Sequence, residues 1–136
     1  MNIDTHFDSK VIHAGQSYEE ITGAVMPPIF LSSTYVQESP GVHNGFEYTR
    51  SHNPTRYALE RCVARLEGST LTKEQDASFG GFAFSSGMAA ISSTLDLLDS
   101  GDHVIAMDDL YGGTNRLFNK VKRRSSGLDF SFIDLT

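Results

Sequence analysis

Three short runs in this chain combine residue types that grip anions or flat rings. Ser85-Ser86-Gly87-Met88 joins a short apolar run to a segment of helical pattern. A helix starting there would aim its unsatisfied N–H groups and the positive end of its dipole at a ligand, with serine hydroxyls alongside and no side chain on Gly87 to hold a phosphate off. The same glycine equally serves a plain tight turn. Tyr48-Thr49-Arg50 puts a phenol and a guanidinium on one side of an extended segment, because residues i and i+2 share a face. The planar donor fork of arginine with a tyrosine hydroxyl beside it suits phosphate; an exposed arginine without a ligand is the plainer alternative. Tyr111 follows the second apolar run, where its ring would either stack on a flat heteroaromatic group or pack into a core. Arg116, one turn into the next helical segment, would bind a substrate carboxylate or simply meet water.

Other chemistries lose support. No glycines flank Ser85 or Ser86 in the manner of a nucleophile elbow, and neither a Gly-x-Gly-x-x-Gly nor a Walker pattern occurs. The 5 histidines, His6, His13, His43, His52 and His103, lack ligand spacing on a common helix face, so no metal site is expected. Asp108 and Asp109 have the chemistry to hold a divalent ion, but acids in a loop after a strand are commonly solvated or capping. With 11 Lys plus Arg against 17 Asp plus Glu the net charge is −6, which disfavours an electrostatic grip on nucleic acid or an anionic membrane. The basic cluster of Lys120, Lys122, Arg123 and Arg124 reads as a solvated helix face near a C-terminal end. The single cysteine, Cys62, excludes an intrachain disulfide framework, fits a reducing compartment and reads as core rather than nucleophile. No apolar run approaches the ~18 residues of a membrane span, and Met1 to Gln16 mixes Asp4, His6 and Asp8 instead of forming a signal core, so a cytoplasmic protein is expected.

The elements that must position these residues fall into two halves. From Met1 to about His52 there is little helical periodicity, and Pro27, Pro28, Pro40 and several glycines interrupt the chain; it reads as an extended arm with short strands, packed against something else. At Asn53-Pro54 a helix should start, with an N-cap oxygen and a proline at its first position. Tyr57, Leu59, Cys62, Val63 and Leu66 would form its apolar stripe, Glu60, Arg61, Arg65 and Glu67 would face water, and Gly68 would stop it. Ser69 to Gly81 reads as a loop. Strand, helix, strand, helix and strand then alternate: Phe82–Ser85, Met88–Leu98, His103–Met107, Thr114–Arg124 and Asp129–Ile133. That alternation is the pattern of βαβ units in a parallel sheet, whose ligands bind at the C-terminal ends of the strands. With 136 residues, 39% hydrophobic and 21% charged, the chain is one small domain or part of a larger one.

Five ordered motifs carry a resemblance: Ile12-His13-Ala14-Gly15, Pro27-Pro28-Ile29, the run from Tyr48 to Arg56, Phe84-Ser85-Ser86-Gly87-Met88-Ala89-Ala90, and the run from Asp109 to Arg116. Together they resemble the Cys/Met-metabolism enzymes that use pyridoxal 5'-phosphate (PLP), the trans-sulfuration family, and within it the cystathionine γ-lyases. The resemblance implies an α/β fold of the aspartate-aminotransferase-like kind (PLP fold type I). It implies residues 1–53 as an N-terminal arm reaching a neighbouring subunit and 54–136 as the first part of a large PLP-binding domain. It also implies a homotetramer, a dimer of dimers whose active sites are shared across the dimer interface.

By that resemblance Tyr48 and Arg50 hold the cofactor phosphate of the neighbouring subunit, and Ser86, Gly87 and Met88 hold it from within the same one. Tyr111 stacks on the cofactor ring and assists proton transfer, and Arg50, Tyr111 and Arg116 contact the amino-acid substrate. The implied reaction is γ-elimination of cystathionine to cysteine, ammonia and 2-oxobutanoate; γ-synthase, β-lyase and a non-catalytic PLP- or phosphate-binding fragment are the alternatives. Methionine γ-lyases usually carry a cysteine where Gly113 stands, and the Ser69–Gly81 linker is longer than the family's. The chain looks like the N-terminal portion only. Lys10, Lys73, Lys120 and Lys122 do not match the context of the lysine that bonds the cofactor, so the chain is expected to be inactive by itself.

Overall fold

The computed structural model describes residues 6–72 and 75–134. The chain divides into two compact units, residues 1–83 and 84–136. No helix among the described residues is long and apolar enough to cross a membrane.

The first unit is organised by one helix. Helix α1 (Phe7–His13) precedes a hairpin of β1 (Gln37–Ser39) and β2 (Val42–His43), and α2 (Pro54–Leu66) follows. Asn53 caps α2 as its sequence requires: Oδ1 accepts from Thr55 N at 2.9 Å and Arg56 N at 3.3 Å. The helix ends before Gly68, which takes a positive φ of 86°. The same N-terminus fastens the arm. Asn53 Nδ2 donates to Phe30 O at 3.1 Å and to Thr49 Oγ1 at 2.7 Å, and Thr55 Oγ1 accepts from Phe30 N at 2.8 Å. Residues around Thr34 and Tyr48 meet as an antiparallel bridge, flanked by Tyr35 N to Glu47 O at 2.9 Å and Thr49 N to Ser33 O at 2.8 Å.

Three features of this unit depart from the sequence reading. The first is α1, inside the stretch expected to be an extended arm. None of its own residues is buried, and it is held by docking on α2: a Cβ on Gly15 would lie 2.5 Å from Arg61 Cβ, so only glycine allows the approach. The second is the inward face of α2, which carries Tyr57, Glu60 and Ala64. Leu59, expected in the apolar stripe, is 58% exposed, while Glu60, expected in water, is 5% exposed. A hydrogen bond from Ala83 N and an ion pair with Arg56 hold Glu60, so burial by periodicity alone misleads. Third, Arg61 and Arg65, expected to face water, are engaged by the Ser69–Gly81 linker, which carries no helix or strand among its described residues, as expected of a loop, and folds back on α2. Arg61 Nε donates to Ala77 O at 2.5 Å, Arg65 Nη1 donates to Ser69 O at 2.6 Å, and the Arg65 guanidinium sits 4.3 Å from the Phe79 ring centroid. Lys73 lies outside the described residues.

The second unit contains α3 (Gly87–Leu95), β3 (His103–Met107), α4 (Gly112–Arg116), a π-helical turn at Leu117–Lys122, α5 (Arg123–Ser125) and β4 (Asp129–Ile133). Strands β3 and β4 pair in parallel, His103 opposite Asp129 through Met107 opposite Ile133, with α4 to α5 as the crossover. Leu95, Phe118, Leu128 and Phe130 form the core, and the Phe118 and Phe130 rings stack with centroids 4.7 Å apart. Phe82–Ser85, expected as a strand, is irregular and joins no ladder among the described residues. α3 stops at Leu95, short of the expected Leu98, where Asp96 caps it and Leu97 N and Leu98 N bond back over three residues to Thr94 O and Leu95 O. The crossover helix starts at Gly112, two residues before the expected Thr114, because both glycines join the first turn. The basic cluster is also not wholly solvated: Lys122 is buried and hydrogen-bonded to Asp96 Oδ1, and Arg123 Nη2 donates to Phe130 O at 2.9 Å.

Candidate functional site

The candidate residues lie in both units, and each set is built by local structure. In the second unit Ser86 is the N-cap of α3, its Oγ accepting from Ala89 N at 3.1 Å. Gly87 and Met88 form the first turn, where N–H groups have no acceptor within the helix. A Cβ on Gly87 would meet nothing within 4 Å, so the space beside these donors is open. Tyr111 stands at the N-cap position of α4 with 75% of its surface exposed, which removes the core-packing alternative for its ring.

Met88 joins these two pieces. Its Sδ accepts from Thr114 Oγ1 at 3.6 Å, and it would lie 3.4 Å from a Cβ on Gly113. The first turn of α3 and the first turn of α4, with the Tyr111 ring over Gly113, therefore form one cluster. Arg116 closes α4 and is exposed. Asp108 N donates to Ile133 O at 3.0 Å. Among the described residues no group of three His, Cys, Asp or Glu side chains is placed to hold a metal ion.

In the first unit the expected pairing of Tyr48 with Arg50 is present, by a different backbone route. Tyr48 is in the bridge with Thr34 and residues 49 and 50 are in a turn, yet Arg50 Nη2 donates to the Tyr48 phenol oxygen at 3.1 Å. The guanidinium lies 5.1 Å from the ring centroid. Both side chains are exposed. The phenol keeps its own proton to donate and Arg50 keeps further N–H groups, so the pair offers a tetrahedral anion several donors at once.

Two residues behind this pair escaped the sequence reading. Arg56, in the first turn of α2, donates through Nη1 to Arg50 O at 3.2 Å and through Nη2 to Ser51 O at 2.5 Å, and pairs with Glu60 at 3.3 Å. Glu60 Oε1 also accepts from Ala83 N at 2.9 Å. The available signal was the i, i+4 spacing of Arg56 and Glu60, which reads on a helix surface as an ordinary exposed pair. Arg56, Tyr57 and Glu60 also line a cleft of about 380 Å³ with His52 and Asp76, and the His52 Nδ1 is buried without a partner. Burial raises the Tyr57 phenol pKa and lowers that of Arg61.

Taken unit by unit, the second offers helix-end donors, a serine hydroxyl, open space and an exposed aromatic, chemistry that suits a phosphate monoester carrying a flat ring, and the first offers a phenol–guanidinium pair, chemistry that suits a phosphate. Comparison with known proteins agrees. The family model for Cys/Met metabolism PLP-dependent enzymes matches residues 8–136. A cystathionine beta-lyase of Coxiella burnetii is 57% identical over 99% of this chain and 33% of its own length. A cystathionine gamma-lyase of Bos taurus is 48% identical over 95% of this chain and 30% of its own. Among solved structures, the cystathionine gamma-lyase of Lactobacillus plantarum complexed with L-serine superimposes with a TM-score of 0.81 at 40% identity, over 96% of this chain and 31% of that one. The chain belongs to the Cys/Met metabolism PLP-dependent enzyme family, and its fold is that of the fold type I enzymes. It spans about a third of the length of the curated relatives it matches.

Proposed function

We propose that the protein is a PLP-dependent carbon–sulfur lyase of sulfur amino-acid metabolism that cleaves cystathionine by γ-elimination to cysteine, ammonia and 2-oxobutanoate. The observation that carries the reading is the Tyr48–Arg50 pair, a ready anion clamp with Arg50 Nη2 3.1 Å from the phenol oxygen, in a chain of this family.

Each residue then has a task set by its chemistry. The N–H groups of Gly87 and Met88 and the Ser86 hydroxyl bind phosphate oxygens within one subunit, using the positive end of α3. Tyr48 and Arg50 supply further donors to the phosphate bound by a neighbouring subunit. Tyr111 fixes the plane of the cofactor ring with its own and moves a proton at its phenol oxygen. Arg116, with Arg50 and Tyr111, orients the amino-acid substrate through its carboxylate. When bound, PLP supplies an electron sink for the carbanion formed at the substrate α-carbon.

The arm supports association. Ile21, Val25, Met26, Ile29, Leu31 and Val36 are all exposed, more apolar surface than water tolerates without cover. We assign that cover to neighbouring subunits in a homotetramer in the cytoplasm, with residues 1–53 acting as the reaching arm and 54–136 beginning the PLP-binding domain. Lys122, committed to Asp96, is a poor candidate for bonding the cofactor, which supports the view that this span is inactive alone.

The 57% identity to the Coxiella burnetii beta-lyase favours β-elimination as a second reading. Product analysis of the full-length enzyme with cystathionine separates the two. Cysteine with 2-oxobutanoate supports γ-elimination, homocysteine with pyruvate supports β-elimination, and no keto acid from PLP-loaded enzyme overturns both.

A further inference from the structure

We infer that Arg56 is a positioning residue for phosphate recognition, holding the turn that presents Tyr48 and Arg50 without touching the ligand itself; this rests on the reading that the pair binds the phosphate of PLP. Three consecutive carbonyls converge on one guanidinium. Nη1 lies 3.4 Å from Thr49 O and 3.2 Å from Arg50 O, and Nη2 lies 2.5 Å from Ser51 O. Nε faces Glu60 Oε1 at 3.3 Å. All three nitrogens are thereby engaged, and the charge is balanced by a carboxylate that is itself 5% exposed.

The planar fork of arginine makes this arrangement rigid in a way a point charge does not. Ser51 N and His52 N both donate to Tyr48 O, at 3.1 and 2.9 Å, closing the turn from within. Arg56 closes it from behind, so the backbone of residues 49–51 cannot rotate without breaking charge-assisted bonds. Removing the guanidinium also takes the ion-pair partner from the buried Glu60 carboxylate, which keeps its bond from Ala83 N. Arg50 would keep its charge and lose its aim.

The test uses full-length apoenzyme titrated with PLP and with pyridoxal, which lacks the phosphate, followed by the change in intrinsic fluorescence. Arg56→Ala is expected to weaken PLP by roughly tenfold or more, the scale of one lost charge-assisted hydrogen bond, and to leave pyridoxal unchanged. Arg56→Lys, which reaches fewer carbonyls, should recover part of the loss. Arg50→Ala added to Arg56→Ala should cost much less than Arg50→Ala alone, a coupling carried through the bond from Arg56 Nη1 to the Arg50 carbonyl. If Arg56→Ala does not assemble, Arg56→Lys and Glu60→Gln carry the same comparison. Additive losses, or an unchanged preference for PLP over pyridoxal in the Arg56 variants while Arg50→Ala loses it, overturn the inference. Should Arg50→Ala itself leave that preference intact, the assignment of the pair to phosphate fails first and the role of Arg56 falls with it.

Discussion

The ring of Tyr111 lies where a side chain on residue 113 would go: a Cβ built on Gly113 comes 2.5 Å from Tyr111 Cε1. Because Tyr111 is exposed, the ring can swing away at small cost. Gly113→Ala should therefore change stability by less than about 1 kcal/mol while turning the ring out of its present plane. On the proposed placement of Tyr111 against the cofactor ring and the proposed lyase activity, the expected result in the full-length protein is an unchanged thermal midpoint with weaker PLP binding and slower elimination. A fall in the midpoint without a change in PLP affinity would show that the ring contact matters for folding alone.

Asn53 joins helix capping to fastening of the arm through opposite ends of one amide. Asn53→Ala removes both and should cost about 1–2 kcal/mol in denaturant unfolding, toward the upper end of the range for lost N-caps. Asn53→Asp keeps the acceptors for Thr55 N and Arg56 N but removes the donors to Phe30 O and Thr49 Oγ1. It should preserve most of the stability and speed proteolysis of the arm.

Lys122 and Asp96 are unequal partners: the lysine side chain is 10% exposed and the aspartate 64%. Asp96→Ala leaves a buried ammonium without its anion and should destabilise by ~1–3 kcal/mol, discounted from fully buried pairs because water reaches the aspartate. Lys122→Met should cost little or stabilise, since its stem already packs in the unit. Paired urea titrations of the two variants measure the asymmetry, and equal losses would contradict it.

Asp76 is held below its ordinary carboxylate pKa by hydrogen bonds from the hydroxyl and N–H of Ser78. A depressed folded pKa means that the contribution is complete above about pH 4 and is lost as pH falls through the folded value. Protection of the amides of residues 76–81, measured against their intrinsic exchange rates, should fall in acid below that point, and Ser78→Ala should shift the onset to higher pH. An onset that does not move in the variant would assign the effect to another group.

Legibility from sequence followed the source of each element's stability. Strands β3 and β4 lie at the residues expected, because short apolar runs between turn signals leave few alternatives. The start of α2 was equally plain, since Asn53 and Pro54 act locally. Helix α1 was not, because its seven residues bury nothing of their own and are held by α2, fifty residues away in sequence. The segment 82–85 has strand composition, but a strand is a property of two segments, and residue types alone do not supply the second. At the site, Tyr48 and Arg50 could be paired from spacing, although the route through a turn could not be read. Arg56 and Glu60 were hidden because an i, i+4 pair looks the same whether it faces water or carries a turn.

In the proposed homotetramer the exposed apolar residues of the arm, Ile21 at 93% and Leu31 at 90% among them, would make solubility a collective property. Below the concentration at which subunits associate, each chain carries sticky surface into the medium, and collisions between arms compete with correct assembly. Yield on refolding should therefore pass through an optimum in protein concentration instead of improving steadily with dilution. On the same proposed assembly, chaperone demand during synthesis should last until subunits meet, well after each chain has completed its own secondary structure.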